Sequence, residues 1–216
     1  VSSAASDVYK RQDPELGGGP ERVPEIVDKA VKGGVSVVQL RDKHAPHDVF
    51  LERARKLQEL LAPTGVPLFV NDRLDIACEL GLHLHIGQDD VDYETAREKL
   101  PADLMIGLSV GNQEELDAVA ALPKDMRPDV IGVGPIEATQ TKKDAGVGIG
   151  AEKFNDLASQ AKKLGVEAVA IGGVKAENAP QLNNGAGICV VSAIMKAADP
   201  EQAARALRSA FEQGRK

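Results

Sequence analysis

The sequence predicts an α/β fold in which parallel strands alternate with helices, and the favoured arrangement is a single-domain (β/α)8 barrel. Two observations predict the alternation. The strand-like runs are short and apolar throughout, as in strands covered on both faces, and an amphipathic helical pattern follows each of them. A doubly wound sheet is the alternative, but its nucleotide-binding members normally carry a glycine fingerprint after the first strand, which is absent here.

Seven strands and eight helices are predicted, joined by short connections. The first helix shows apolar spacing through Ile26, Val27 and Ala30 and stops at Gly33-Gly34. The last helix begins after Asp199, a residue type that favours the N-cap. The predicted strands are 35–40, 68–71, 82–86, 104–108, 130–134, 168–171 and 188–191. The predicted helices are 24–31, 47–61, 74–80, 92–100, 113–122, 151–164, 176–183 and 199–213.

Residues 1–12, VSSAASDVYKRQ, differ in character from the rest of the chain. They lack an apolar run and an initial Met, so we predict a non-native or disordered leader at 1–12 and a barrel domain at 13–216. The first barrel strand is then missing or degraded. We therefore predict that residues 1–12 supply no barrel strand and that an open slot lowers the stability of the barrel.

Composition restricts the class of protein. A chain of 216 residues that is 43% hydrophobic can bury a full core, and a net charge of −7 argues against partners such as nucleic acid or an anionic membrane. Neither a signal peptide nor a long apolar span is present, which predicts a soluble, cytoplasmic protein. Cys78 and Cys189 are expected to be reduced and buried, without a disulfide.

Two consecutive predicted strands end on carboxylates. Asn71 and Asp72 follow one strand, and Gln88, Asp89 and Asp90 follow the next. If the strands are parallel, both ends lie at the same edge of the sheet, so Asp72 and one of the later pair can share a hard cation. Asn-Asp and Asp-Asp are also common turn formers, and only their repetition at successive strand ends favours a metal site.

Cationic side chains follow other strands at the same edge. Arg41, Lys43 and Lys142 would supply positive charge beside Mg²⁺, a combination that suits a pyrophosphate, although Lys142-Lys143 alone could be a solvated loop. Further polar and glycine residues at strand ends are Gln39, Ser109, Gly134, Thr139 and Thr141.

A second anion site is predicted near the last two strands. The chain turns from strand into helix at Gly172-Gly173 and again at Val191-Ser192, so that backbone N–H groups of both turns point at one spot. A Gly-Gly pair can also be a plain helix-entry turn. Two anion sites nonetheless predict two phosphorylated small-molecule substrates.

The histidines are not predicted to bind a metal. His83 and His85 alternate along one strand and share a face, but no Cys or third His lies near them in the sequence. His44 and His47 read as loop and helix-start residues, and no Ser-His-Asp set is apparent.

Seven ordered motifs resemble the thiamine phosphate synthase family: VVQLRDK, FVNDR, HIGQDD, IGLSV, IGVGPIEATQTKKD, AIGG and VVSAI. The resemblance runs from Asp13 to about Phe211. It implies a (β/α)8 barrel that joins 4-amino-5-hydroxymethyl-2-methylpyrimidine diphosphate to 4-methyl-5-(2-phosphoethyl)thiazole, giving thiamine phosphate and pyrophosphate with Mg²⁺ as cofactor.

The resemblance also implies roles for individual residues. The Mg²⁺ ligands are Asp72 and Asp90, whereas Asp89 matches a position that is not a ligand. The catalytic residues are Ser109, Lys142, Arg41 and Lys43. Pyrimidine diphosphate contacts are Gln39, Leu40, Arg41, Asp42, Lys43, Asn71, Ser109 and Lys142. The thiazole phosphate cradle is Thr139, Thr141, Gly173, Val191 and Ser192, and Gln140 is included among the substrate-binding residues.

The implied mechanism is dissociative. The bond from the pyrimidine methylene carbon to pyrophosphate breaks first, and the thiazole nitrogen then captures the methylene cation, so no general base is required. Two alternatives remain: a thiazole tautomerase-like isomerase on the same barrel, and a catalytically degenerate barrel with a regulatory role. The resemblance is compatible with a homo-oligomer and with native fusion to a pyrimidine kinase domain.

Overall fold

The computed structural model describes residues 7–12, 18–138, 147–190 and 192–215. Within them eight parallel strands close into a barrel in chain order, and each strand pairs with both neighbours. The strands are β1 (Asp7–Gln12), β2 (Val37–Leu40), β3 (Leu68–Asn71), β4 (His83–Ile86), β5 (Ile106–Val110), β6 (Val130–Val133), β7 (Glu167–Ile171) and β8 (Gly187–Val190). The α-helices are α1 (Val23–Lys32), α2 (His47–Leu61), α3 (Leu74–Leu80), α4 (Tyr93–Lys99), α5 (Gln113–Ala121), α6 (Gly150–Lys163), α7 (Ser192–Met195) and α8 (Pro200–Gln213).

Alternation along each strand separates two apolar layers. Residues such as Leu40, Val70 and Leu84 face outward and pack with the helices in the main core. A smaller inner cluster fills the barrel itself, and it comprises Val37, Phe69, Val130, Val169 and Cys189. Because this cluster fills the barrel, polar side chains at the carboxyl ends of the strands lie above a packed apolar layer.

The first strand overturns an expectation from the sequence. In β1, Tyr9 pairs with Val37 of β2 on one side and with Cys189 of β8 on the other. The prediction that residues 1–12 supply no barrel strand is therefore wrong for residues 7–12, and the strands leave no open slot between β2 and β8. A strand held between two others gains backbone hydrogen bonds on both sides, and these do not require an apolar run. The leader prediction for residues 1–6 lies outside the described part.

A proline in β1 tests this pairing. Lys10 pairs with Val38 and with Val190, so Lys10→Pro, which removes the backbone N–H, is expected to lower the free energy of unfolding by about 2 to 4 kcal/mol. Lys10→Ala keeps the N–H and serves as the control. Urea unfolding of both variants measures the difference, and superimposable curves would contradict a β1 strand paired on both sides.

Most predicted helices are confirmed. Those predicted at 47–61 and 74–80 coincide with α2 and α3, and Asp199 caps α8 by accepting hydrogen bonds from the backbone N–H groups of Glu201 and Gln202. The helix predicted at 176–183 is wrong, because the structure has only a 3-10 turn there, Ala179–Gln181. Pro180 lacks the N–H that a continuing α-helix would use.

Other details depart less from the sequence predictions. The strand predicted at 104–108 lies two residues later, as β5 (Ile106–Val110). Cys189 is buried as predicted, but Cys78 is exposed, so the prediction that both cysteines are buried is wrong for Cys78. In the part of the chain that the structure describes, no helix is long and apolar enough to cross a membrane.

Candidate active site at the carboxyl ends of the strands

Gln39 and Asn71 form the polar floor of the site. They end β2 and β3 on the inner face, and each is about 5% exposed, which makes them the two buried polar side chains in the described part of the chain. Gln39 Nε2 donates to Asn71 Oδ1 at 3.0 Å. A buried amide is costly unless it is hydrogen-bonded, and this pairing satisfies one donor and one acceptor while fixing both side chains. Leu40 was also predicted to contact the substrate. Its side chain is fully buried in the outer core and therefore does not reach the site.

The loop after β2 presents two cations. Lys43 is exposed, and Arg41 is half-buried with a buried Nε that has no partner among the described residues. The carboxylate of Asp42 holds the loop itself, since it accepts hydrogen bonds from the backbone N–H groups of His44 and Ala45 and forms an ion pair with Arg53. A direct substrate contact by Asp42 stays a prediction.

Arg73 ties this loop to the neighbouring strand end. Its Nη2 donates to the carbonyl of Ala45 at 2.7 Å, and its guanidinium carbon lies 5.2 Å from the centre of the Phe50 ring. Arg73 directly follows Asp72, so the loop that carries the cations and the strand end that carries the carboxylate are held in one arrangement.

Asp72 and Asp90 meet above the floor, as the sequence predicted for carboxylates at successive strand ends. Asp72 has a left-handed backbone, with φ of 66°, and its N–H donates to the carbonyl of His85 at 2.9 Å. One oxygen of Asp72, Oδ2, lies 3.8 Å from Lys43 Nζ, and the other is buried without a partner in the described part. Asp90 Oδ2 accepts the Gly87 N–H at 2.6 Å.

The two carboxyl groups interact closely enough that Asp72 keeps its proton to a higher pH than an ordinary aspartate. Burial and the adjacent Asp90 raise the pKa of Asp72 to about 6. Burial opposes ionisation of Asp90 as well, but the hydrogen bonds from Asp72 and the Gly87 N–H, with the charge of Lys43, hold the pKa of Asp90 below its usual value. A cation bound by two carboxyl groups this close together would reduce the repulsion between their negative charges.

The donor set fits a hard divalent cation that also binds phosphate. Two carboxylates converge, and one has a buried oxygen without a partner. In the described residues no group of three or more His, Cys, Asp and Glu side chains gathers into a site that would enclose a metal by itself. Mg²⁺ characteristically uses one or two carboxylates and completes its shell with water and substrate phosphate oxygens. Asp89 is exposed and outside this pair.

Ser109 on β5 completes the described half of the site. Its Oγ lies 3.0 Å from His85 Nε2, and its carbonyl accepts a hydrogen bond from Gln88 Nε2 at 2.7 Å. The His85 ring fits because β5 has glycine opposite it, since a Cβ at Gly107 would lie 2.7 Å from His85 Nδ1. The sequence prediction missed this contact, although strand alternation and register place His85 and Ser109 on the same inner face.

His83 lies one step deeper on the same strand. Its Nδ1 accepts the Met105 N–H at 3.0 Å, and its ring centroid is 4.9 Å from that of Phe69. Burial lowers the pKa of His83, which favours the neutral ring. Its contacts are those of a structural side chain.

The turn after β7 forms part of the predicted phosphate cradle. Gly172 and Gly173 have φ of 82° and 74°, a backbone conformation that glycine adopts readily. Ser192 opens α7 and is exposed. The remaining predicted residues of this half, Thr139, Gln140, Thr141, Lys142 and Val191, lie outside the described residues, as does Lys143.

Comparisons of the sequence and of the overall structure with known proteins agree on one family. The sequence model described as thiamine monophosphate synthase matches residues 10–194. The thiamine-phosphate synthase of Azorhizobium caulinodans is 47% identical over 195 residues, which cover 89% of this chain and 89% of that protein. A solved structure of a thiamine phosphate pyrophosphorylase from Pyrococcus furiosus superposes with a TM-score of 0.84 at 30% identity, covering 98% of each chain.

A longer relative is also similar. The thiamine biosynthesis multifunctional protein ThiED of Corynebacterium glutamicum is 51% identical over 210 residues, which cover 95% of this chain. The chain spans only 28% of the length of that protein.

Proposed function

Because the chain belongs to the thiamine monophosphate synthase family, we propose that it condenses the aminopyrimidine diphosphate with the thiazole phosphate, releasing thiamine phosphate and pyrophosphate. One observation carries the proposal beyond family membership. The Asp72 and Asp90 pair lies beside Lys43, and Arg41, on the same loop as Lys43, has a buried Nε without a partner among the described residues. Anionic and cationic groups side by side suit a diphosphate bound together with a divalent metal.

Mg²⁺ is proposed as the cofactor, held by Asp72 and Asp90. When bound, it would neutralise charge that develops on the departing pyrophosphate. The chain itself places Lys43 next to Asp72, so that the same leaving group would meet a metal site and an ammonium from one side. Arg41 is proposed to meet the diphosphate from the same loop, and Lys142 to add a third positive charge.

The floor of the site is proposed to hold the aminopyrimidine. Gln39 and Asn71 offer amide groups fixed by their mutual hydrogen bond, and Ser109 offers a hydroxyl held by His85. A ring so placed would have its methylene carbon directed upward toward the carboxylates and cations at the rim. The proposed dissociative reaction depends on such an orientation and needs no general base.

The second substrate is proposed to bind by its phosphate at Gly173 and Ser192, with Thr139, Gln140, Thr141 and Val191. Backbone N–H groups at glycine turns and helix starts are common phosphate ligands in barrels of this kind. The thiazole nitrogen would then face the methylene carbon. Two separate anion sites make the affinities for the two substrates independently alterable.

The tautomerase-like alternative is less well supported. An isomerase that binds neither a metal nor a diphosphate does not require two adjacent carboxyl groups beside a lysine. A degenerate barrel with a regulatory role would likewise not require this partly buried pair. The tautomerase-like alternative predicts an isomerisation that divalent metal leaves unchanged, and the degenerate barrel predicts no thiamine phosphate formation with or without metal.

Location and assembly are also proposed rather than observed. The corynebacterial relatives are multifunctional proteins of much greater length, which supports native fusion to a further domain such as a pyrimidine kinase. A cytoplasmic location is proposed because the two cysteines read as reduced, and a homo-oligomer is proposed on the family resemblance.

Metal removal tests the proposed function. Thiamine phosphate formation from the two purified substrates is expected to fall by on the order of 10²-fold or more after EDTA treatment, because the leaving group loses its neutralising cation. Added Mg²⁺ should restore the rate. Product formation that neither EDTA nor Mg²⁺ changes would contradict the metal assignment. If no product forms with or without Mg²⁺, the proposed synthase activity is contradicted.

A further inference from the structure

A polar network joins the segment after β6 to the turn after β7. The carboxylate of Glu137 accepts hydrogen bonds from Lys175 Nζ and from Asn178 Nδ2, both at 2.8 Å. Asn178 Nδ2 also donates to the carbonyl of Gly173 at 2.9 Å, and its Oδ1 accepts the Lys175 N–H at 2.8 Å. Asn178 is thus hydrogen-bonded to both segments, and Glu137 supplies the carboxylate of this network.

The backbones of the two segments are bonded as well. The N–H groups of Ile136 and Glu137 donate to the carbonyl of Gly172, at 2.8 and 3.2 Å. The approach is close at the next residue, because a Cβ at Gly173 would lie 2.7 Å from Glu137 Cβ and 3.0 Å from the Glu137 carbonyl oxygen. The Gly172-Gly173 turn therefore has its position fixed largely by Glu137 and the residue before it.

We propose that Glu137 is a positioning residue for the second substrate, acting through Lys175 and Asn178. The network holds the Gly172-Gly173 turn in place, and the same segment that carries Glu137 continues directly into Thr139 and Thr141. Glu137 thus helps to fix the turn that is proposed to meet the thiazole phosphate, and it lies two residues before Thr139 in the sequence. This inference rests on the proposed function, since it deepens the assignment of the phosphate cradle.

The connectivity matters more than the ion pair. The Glu137 and Lys175 side chains are 46% and 58% exposed, and an isolated pair at such exposure contributes little to stability. Four hydrogen bonds that share their donors and acceptors fix a geometry, and the loss of one member leaves the others misaligned. The expected consequence of removing Glu137 is a displaced phosphate cradle in a barrel that stays folded.

Substrate kinetics test the inference. Glu137→Ala is expected to raise the KM for the thiazole phosphate by about 5- to 20-fold, the scale of one or two lost hydrogen bonds to a charged group. The KM for the pyrimidine diphosphate and the kcat at saturation should stay within about twofold, because the residue touches neither that substrate's site nor the reacting atoms. Asn178→Ala should raise the same KM, and the double variant should show less than the product of the two effects.

A second measurement does not depend on catalysis. The backbone amides of residues 136 and 137 donate hydrogen bonds to the carbonyl of Gly172. Their hydrogen exchange is expected to be faster in Glu137→Ala than in the wild type. Glu25→Ala is the matched control, since Glu25 forms an exposed 2.7 Å ion pair with Lys29 on α1, away from the strand ends. It should change neither the exchange rates nor either KM.

The outcomes separate this inference from the proposed function. Unchanged thiazole phosphate KM and unchanged exchange in Glu137→Ala overturn it, and so does an equal rise in both KM values. If the wild-type chain forms no thiamine phosphate, the proposed function has failed, and the exchange rates alone decide whether Glu137 positions the turn.

Discussion

Asp72→Asn is expected to lower the rate of thiamine phosphate formation by on the order of 10² or more, while the affinity for pyrimidine diphosphate falls less. The substitution keeps the shape of the side chain and removes one negative charge from the proposed Mg²⁺ site. The contribution of that site grows as the bond to pyrophosphate breaks, so the effect should appear in the chemical step. Single-turnover rates across a Mg²⁺ titration measure it.

The same substitution is expected to stabilise the metal-free protein. The pKa of Asp72 is raised to about 6 in the folded chain, chiefly by burial, against an ordinary value of 3.8. A carboxyl with a raised pKa weakens the folded state as the pH rises through the folded pKa, so its destabilising effect develops between about pH 4 and 6 and is complete above. Asn avoids that ionisation, tolerates φ of 66°, and keeps a donor for Asp90.

The expected gain is about 1 to 3 kcal/mol in the free energy of unfolding at pH 7.5. No gain is expected at about pH 4, where the carboxyl of Asp72 in the folded wild type is as neutral as the amide of the variant. Added Mg²⁺ should raise the melting temperature of the wild type but not of Asp72→Asn. Urea unfolding at the two pH values, with and without Mg²⁺, measures both effects.

Asp89→Asn is the matched control. Asp89 precedes Asp90 in the same loop but is exposed and outside the pair, so its substitution should change neither the rate nor the stability by much. Wild-type rates and unchanged metal dependence in Asp72→Asn would mean that the carboxylate is structural, and the metal assignment would have to be withdrawn.

The sequence predicted local structure well because local rules decide it. The bounds of α2 and α3 follow from apolar spacing, from Pro46 and Pro63 on either side of α2, and from Gly81 after α3. β1 was missed because its place in the barrel depends on β2 and β8, which are distant in the chain, and not on the pattern of DVYKRQ. The helix predicted at 176–183 failed for a local reason, since Pro180 lies within it.

The site shows the same division. Strand ends predicted Gln39, Asn71, Asp72, Asp90 and Ser109 as neighbours, because parallel strands end at one edge. Contacts from side chains to the backbone of loops could not be predicted, and these include the loop-holding role of Asp42 and the bond from Arg73 to Ala45. They depend on rotamers and on loop conformation, for which a single sequence gives no periodic pattern.

Gly173→Val is expected to weaken binding of the thiazole phosphate by about tenfold or more and to leave binding of the pyrimidine diphosphate nearly unchanged. At φ of 74° an L side chain is strained, and a Cβ would lie 2.7 Å from Glu137 Cβ. Either the Gly172-Gly173 turn or the Glu137 segment must shift, and both belong to the proposed cradle. The strain and the overlap should also lower the free energy of unfolding by about 2 to 4 kcal/mol.

Gly165→Val separates the backbone strain from the overlap. Gly165 has φ of 77°, close to that of Gly173, but a Cβ there would meet nothing within 4 Å. This control should therefore show only the strain of a left-handed residue, about 1 to 2 kcal/mol, with both substrate affinities intact. Calorimetric titration of each substrate into both variants gives the affinities, and urea unfolding gives the stabilities. Equal losses of affinity for the two substrates in Gly173→Val would contradict two separate anion sites, since a shift confined to the turn after β7 leaves Gln39, Asn71 and the carboxylate pair in place.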